Sequence, residues 1–193
     1  MSPLGAPPPD LGGFPTLDLD STRLLYRIHR RDKSPWWFSN DGSGRFDMRR
    51  EDQGTCYLAE RAVGAFIEVF RTDTVIPQAE VDARSLSALA APAKTTVANC
   101  TASAARSFGV TAAIHSQPDY NATRAWAQAF ADAGLGGVLY RVSPDPSGSE
   151  LGVALFGEAG EQDLPVESTE PIPEDVLDEA RNRFGLLVLP APS

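Results

Sequence analysis

The sequence predicts a single α+β domain with a mixed β core and flanking helices. Segments of β-type alternation and segments of helical period are interleaved without strict strand–helix–strand alternation, which argues against a doubly wound parallel sheet. Two short β runs flank a Pro-Asp-Pro-Ser-Gly turn that suits a hairpin-like connection. The chain has 193 residues, 42% apolar and 22% charged, the size and composition of one ordinary globular domain.

Residues 1–15 (MSPLGAPPPDLGGFP) are rich in Pro and Gly and lack periodicity, so a flexible N-terminal arm is expected over residues 1–20. Arg23–His29 reads as the first strand. A Gly-, Ser- and Asp-rich loop, Lys33–Gln53, carries Trp36, Trp37 and Phe38, and Gly54–Leu58 reads as a second strand. Ala59–Arg71 is the clearest helix, with Ala59, Ala62, Val63, Phe66, Ile67 and Phe70 on one face. The Ala-rich stretch Val97–Phe108 reads as a helix stopped by Gly109. A further helix is expected over Asn121–Ala133, with Asp119 or Asn121 capping its start and Gly134 its end. Gly137–Val142 and Leu151–Phe156 are strands. An acidic extension over residues 158–193 is expected to pack on the 21–157 domain, with one helix, Glu174–Phe184, and a terminal strand, Leu186–Leu189.

Charge excludes some functions. The chain carries 17 basic and 26 acidic side chains, a formal −9, so direct nucleic-acid binding driven by charge is not expected. Residues 21–50 nevertheless hold eight Lys or Arg against three acids, whereas Asp145–Glu179 holds eleven acids and no base. A basic segment inside an acidic chain points to a local anion site. No apolar run approaches the roughly 18–20 residues needed to span a bilayer. No basic-then-apolar leader is visible at the N-terminus, so a cytoplasmic location is expected. Cys56 and Cys100 form no metal-binding motif and no disulfide framework.

P-loop, dinucleotide-fold, nucleophile-elbow and zinc-protease signatures are absent. His29 and His115 read as ordinary structural or surface histidines. Gly42-Ser-Gly-Arg-Phe-Asp47 combines glycines that permit close ligand approach with a guanidinium suited to phosphate, although an ordinary surface loop fits equally well. Tyr57 ends the neighbouring strand. Glu68 lies opposite the apolar face of its helix, and Gly64, one turn earlier, is expected to leave space above that carboxylate. A stacking tyrosine, arginines for a diphosphate and one carboxylate together suit a cationic transition state.

Taken in order, these pieces resemble the RES-domain family, named for recurring Arg, Glu and Ser residues. The resemblance is carried by Leu25-Tyr-Arg-Ile28, Gly44-Arg-Phe-Asp47, Gly54-Thr-Cys-Tyr-Leu-Ala59 with Glu68 beyond it, and Tyr120-Asn-Ala-Thr-Arg-Ala-Trp-Ala127. It ends with Gly136-Gly-Val-Leu-Tyr-Arg-Val-Ser143 and Gly152-Val-Ala-Leu-Phe156. The resemblance implies an ADP-ribosyltransferase-like fold and an NAD-degrading toxin that cleaves the nicotinamide–ribose bond by hydrolysis or phosphorolysis. NAD is then a substrate, with inorganic phosphate as the alternative acceptor to water, and no cofactor or metal is implied. A small DNA-binding antitoxin of Xre type is the implied partner, and many relatives form dimers or larger complexes, so a homo-oligomer belongs to the expectation.

On the same resemblance Arg27, Glu68 and Ser143 are the catalytic set, and Arg45, Tyr57 and Tyr26 bind NAD. Glu68 would stabilise the oxocarbenium-like ribose, and Arg27 and Arg45 would hold the diphosphate. Relatives often carry a basic residue soon after the serine. Here Pro144-Asp145-Pro146 follows, an acid expected to weaken phosphate binding, and the acidic extension carries the expectation that it shields the basic site. Two alternatives stand beside this reading: an ADP-ribosyltransferase acting on a macromolecule, and a catalytically silent RES-like binding domain.

Overall fold

A computed structural model describes residues 3–71, 73–92 and 94–190. The chain forms strands β1 (Thr16–Leu19), β2 (Leu24–Arg30), β3 (Trp37–Phe38) and β4 (Gln53–Ala59), then helix α1 (Ala62–Phe70). Strand β5 (Val75–Pro77), helix α2 (Gln78–Asp82) and strands β6 (Arg84–Ala90) and β7 (Thr95–Asn99) follow. A 3₁₀ segment (Ser103–Phe108), a one-turn helix α3 (Ala113–Ser116) and helix α4 (Asn121–Asp132) lead to β8 (Gly137–Arg141) and β9 (Leu151–Glu158). Strands β10 (Gly160–Glu161) and β11 (Val166–Pro171), helix α5 (Glu174–Phe184) and β12 (Leu187–Leu189) complete the mixed α+β domain.

An eight-stranded sheet runs in the order β1-β7-β8-β9-β4-β2-β6-β11. Only the β7–β8 pair within it is parallel. Helix α4 covers one half of the sheet, with Trp126, Phe130, Phe46, Val138 and Tyr140 buried beneath it. Helices α1 and α5 cover the other half through Phe66, Ile67, Phe70, Val176 and Leu177. The opposite face is closed by Trp36 and Phe38, which pack on Leu25, Leu58, Val153 and Leu155. The two halves meet where β4 and β2 adjoin. There the register consists of one pair, Tyr26 with Ala59, against seven pairs between β2 and β6 and seven between β4 and β9. The sheet therefore splits at its centre, and a gap opens between two well-bonded halves.

Three expectations require correction. The N-terminal segment is packed rather than a free arm: Leu4 and Phe14 are buried, Trp126 donates to Gly5 O at 2.9 Å, and β1 pairs with β7. Two apolar side chains among the prolines suffice to hold it. Val97–Phe108 is not one helix. Thr95-Thr-Val belongs to a strand, as β-branched residues favour, and only Ser103–Phe108 is helical, ending at Gly109 with φ +95°. The boundary at residue 157 falls inside β9, and β11 adds the sheet's eighth strand, so the acidic segment is part of the domain.

Candidate active site

The split in the sheet is filled by Arg27. Its Nη1 donates to Pro35 O at 2.6 Å, Trp37 O at 2.9 Å and Cys56 Sγ at 3.1 Å, so the guanidinium ties β2 to β4 and to the loop between them. Tyr26, Arg27, Tyr57, Ala65, Glu68 and Arg71 line a cavity of about 260 Å³ at this gap. A second lobe of about 270 Å³ is lined by Arg45, Glu68, Arg71, Ser116, Tyr120 and Ser143. Glu68 and Arg71 belong to both lobes, and among the described residues Glu68 is the one carboxylate lining either. All six sequence-selected residues thus line one bipartite site: Tyr26, Arg27 and Tyr57 in the first lobe, Arg45 and Ser143 in the second, and Glu68 in both.

The Gly44-Arg-Phe-Asp47 segment is built around the Tyr57 hydroxyl, which donates to Asp47 Oδ1 and accepts from Phe46 N–H, both at 2.8 Å. Burial and the buried Asp47 push the Tyr57 pKa well up, so the phenol stays protonated as a donor. A Cβ on Gly44 would stand 2.2 Å from Asp47 Oδ1 and 2.3 Å from the Tyr57 hydroxyl, which is why glycine occupies this position. Arg45 is thereby aimed at α4: it lies 4.7 Å from the Tyr120 ring and donates to Gln117 O at 2.7 Å. Thr123 Oγ1 holds the Arg45 carbonyl at 2.6 Å, and Arg124 reaches back to Gly44 O at 3.1 Å.

Glu68 projects from the last turn of α1. Its Oε2 and the Tyr140 hydroxyl are both buried without a full hydrogen bond among the described residues, although the two groups lie close enough to act on each other electrostatically. Burial raises the Glu68 pKa, while Arg71, Arg45 and the Tyr140 hydroxyl hold it down. Arg71 lies 3.9 Å from Glu68 Oε1 and donates to the Tyr120 hydroxyl at 3.0 Å. It does so from a backbone at φ +40°, ψ −88°, a region that non-glycine residues rarely adopt. Gly152, opposite Tyr140 across the β8–β9 pair, makes room for the phenol, since a Cβ there would meet its Cζ at 2.5 Å. The result is a single carboxylate facing the Arg71 and Arg45 guanidiniums, with Oε2 unpaired among the described residues.

Sequence reasoning passed over Arg71, Tyr120 and Tyr140. Arg71 follows Glu68 by one helical turn, a spacing that signals a pair. Tyr120 and Tyr140 both stand inside quoted motifs but carry no local mark of their contact with residues 49 and 72 positions away. The space beside Gly64 is filled by Glu150, whose Oε2 lies 3.2 Å from a Cβ built there, and not by Glu68. His29 is structural: its Nε2 meets Ser87 Oγ at 2.9 Å within the β2–β6 pair.

The family model described as "RES domain" matches residues 24–175. The chain belongs to the RES-domain family. One chain of the crystal structure of the M. tuberculosis MbcT–MbcA toxin–antitoxin complex is similar in fold, superposing with a TM-score of 0.64 at 17% identity and covering 86% of this chain and 92% of that one. Among curated proteins none matches.

Within this RES domain Arg27, Glu68 and Ser143 line the two lobes. The acid that follows Ser143 is bonded within its own loop. Asp145 turns into its own loop, accepting from Ser147 N–H at 2.9 Å and Oγ at 2.6 Å, Ser149 Oγ at 3.0 Å and Glu150 N–H at 2.8 Å. These bonds hold its pKa down to about 2 against burial. Asp145 does not line the lobe, and Ser143 stands exposed at its edge with no hydrogen bond of its own among the described residues.

Proposed function

We propose that this RES domain is an NAD-degrading enzyme that breaks the nicotinamide–ribose bond, acts as a cytoplasmic toxin and is restrained by a cognate Xre-type antitoxin. The observation that carries the reading is the buried Oε2 of Glu68, unpaired among the described residues, in the one carboxylate they place between two lobes otherwise lined by Arg27, Arg45 and Arg71. Cleavage expels neutral nicotinamide and leaves positive charge on the ribose C1″ and ring oxygen. A carboxylate at that point stabilises the cation more than it stabilises the ground-state sugar, which is what lowers the barrier. The free Oε2 accepts from a ribose hydroxyl or faces the cation. Arg27 and Arg45 take the diphosphate as charge-assisted hydrogen bonds, Tyr26 and Tyr57 wall the ring site, and Ser143 donates to the nucleotide. Water or inorganic phosphate then adds to C1″ from the second lobe, with Arg71 orienting an incoming oxyanion. The likeness to a chain of the MbcT–MbcA complex supports a toxin–antitoxin setting.

The test is incubation of the purified chain with NAD, with and without inorganic phosphate, following free nicotinamide and the ribosyl product. Release by the wild type, lost at least ~100-fold in Glu68→Ala, is expected, in line with removal of one electrostatic stabiliser. Phosphate-dependent ribose-1-phosphate ends would name the acceptor. Folded protein that releases no nicotinamide overturns the reading and favours the transferase or the silent binding domain.

A further inference from the structure

A third cavity, of about 560 Å³, opens at the carboxyl ends of the parallel strands β7 and β8, beneath the 3₁₀ segment. Its floor is small and apolar (Cys100, Ala105, Val110), and its polar lining is formed by Arg106, His115 and Arg141 with the hydroxyls of Ser103 and Thr111. Among the described residues no carboxylate lines it, in a chain of net charge −9. Its volume falls within the range of small-molecule sites, roughly 300–1,000 Å³.

Three donors converge there. The Arg106 side chain makes no hydrogen bond or ion pair among the described residues. Arg141 is steadied by one bond, Nη1 to Gly148 O at 2.6 Å, and keeps the rest of its fork unpaired. His115 is only 9% exposed, and its Nδ1 accepts from the Arg141 backbone N–H at 3.4 Å. The ring proton therefore sits on Nε2, which makes no hydrogen bond among the described residues. Burial, Arg141 and Arg45 push its pKa down to about 4, so the ring stays neutral at physiological pH and keeps that tautomer. Two guanidiniums and an imidazole N–H on the lining of one cavity offer charge-assisted donors to an anion.

We infer that this cavity is a second, phosphate-recognising site for a small nucleotide, whose phosphate is taken by Arg106, Arg141 and His115 Nε2–H. The nucleotide has two sources: the distal half of the dinucleotide substrate, or a separate effector. Helix α3 separates the cavity from the catalytic lobes and presents His115 to one and Ser116 to the other. Only the first source rests on the NAD reading.

AMP is the probe, titrated into the full-length protein and followed by calorimetry and by the His115 imidazole resonances. Binding that shifts His115 and weakens about 10-fold or more in Arg106→Gln, an exposed position where folding is unaffected, is expected from loss of a charge-assisted contact. Competition between AMP and ADP-ribose assigns the site to the substrate's distal nucleotide; simultaneous binding assigns it to an effector. No AMP binding, unchanged affinity in Arg106→Gln, or unmoved His115 resonances overturns the proposal. Because no bond is cleaved in this experiment, its outcome is independent of whether the chain degrades NAD.

Discussion

Glu68 carries two opposing demands. Burial strips water from its charged form and raises its pKa, while Arg71, Arg45 and the Tyr140 hydroxyl pull it back. A carboxyl whose folded pKa exceeds its unfolded one supports the fold only while protonated, and that support is lost as pH rises through the raised value. Ionised Glu68 therefore costs stability at neutral pH. Glu68→Gln is expected to raise Tm, by about 2–4 °C for each kcal/mol relieved, while abolishing nicotinamide release; a lower Tm in calorimetry would sink this account. On the proposed NAD-cleaving mechanism the carboxylate acts ionised, so kcat/KM is expected to fall on the acid side of the same pKa. Tyr140 is one of the groups that favour the anion. Tyr140→Phe moves that acid limb to higher pH and leaves the alkaline plateau largely intact. A pH–rate profile with an unmoved limb would reduce Tyr140 to packing against Phe46, whose ring lies 5.0 Å away.

Helix α1 ends where Arg71 turns to φ +40°, and the same residue faces both lobes. Backbone strain and side-chain role separate in two variants. Arg71→Ala removes the guanidinium and keeps the strain; Arg71→Gly removes both, and glycine accepts positive φ freely. The Gly variant is expected to melt about 2–4 °C above the Ala variant, from about 1 kcal/mol of relieved strain, with both equally poor in NAD cleavage. Equal melting temperatures would show that the φ is not strained. Elements with their own end signals were legible in the sequence. Helix α5 carries Glu174 and Asp175 in its first turn, Arg181 and Arg183 in its last, and Gly185 at φ +68° beyond, and it was read to the residue. Strands β6 and β11 were missed for a physical reason. Leu86 and Leu89 in β6 fall on opposite faces, breaking the alternation, and β11 is exposed along its whole length, so an edge strand made by pairing alone leaves no apolar pattern to read. The site followed the same logic. Arg27, Arg45, Tyr57, Glu68 and Ser143 stood in motifs, whereas the contact that brings Tyr140 to Glu68 is made by folding across the sheet.

At the scale of the molecule the unequal charge distribution becomes architecture. Among the described residues, none of 158–190 lines either lobe. The charges of this acidic segment serve α1 and the β8–β9 loop instead. Arg61 bonds Glu150 Oε1 at 2.8 Å and Glu179 at 2.6 Å, and Arg183 meets the same two carboxylates at 2.8 and 2.5 Å. Glu150 is 1% exposed, and without Arg183 it would be a buried carboxylate held by Arg61 alone. Beneath this network Ile172, Val176, Leu177, Ala180 and Leu186 close the core that anchors the helix of Glu68. A buried Leu-sized side chain is worth about 2–5 kcal/mol on truncation to Ala, and a domain's whole stability is about 5–15 kcal/mol. Deleting residues 158–193 removes several such side chains at once, together with the sheet's eighth strand. The truncated chain is therefore expected to lose cooperative melting and, with it, NAD cleavage. A shield would give the reverse, a folded truncation more active than the full chain. Circular-dichroism melts beside nicotinamide release on the two proteins decide between them, and a milder variant, Leu177→Ala, separates core from charge: it should lower Tm while leaving the Arg61–Glu150–Arg183 network and the activity at low temperature in place.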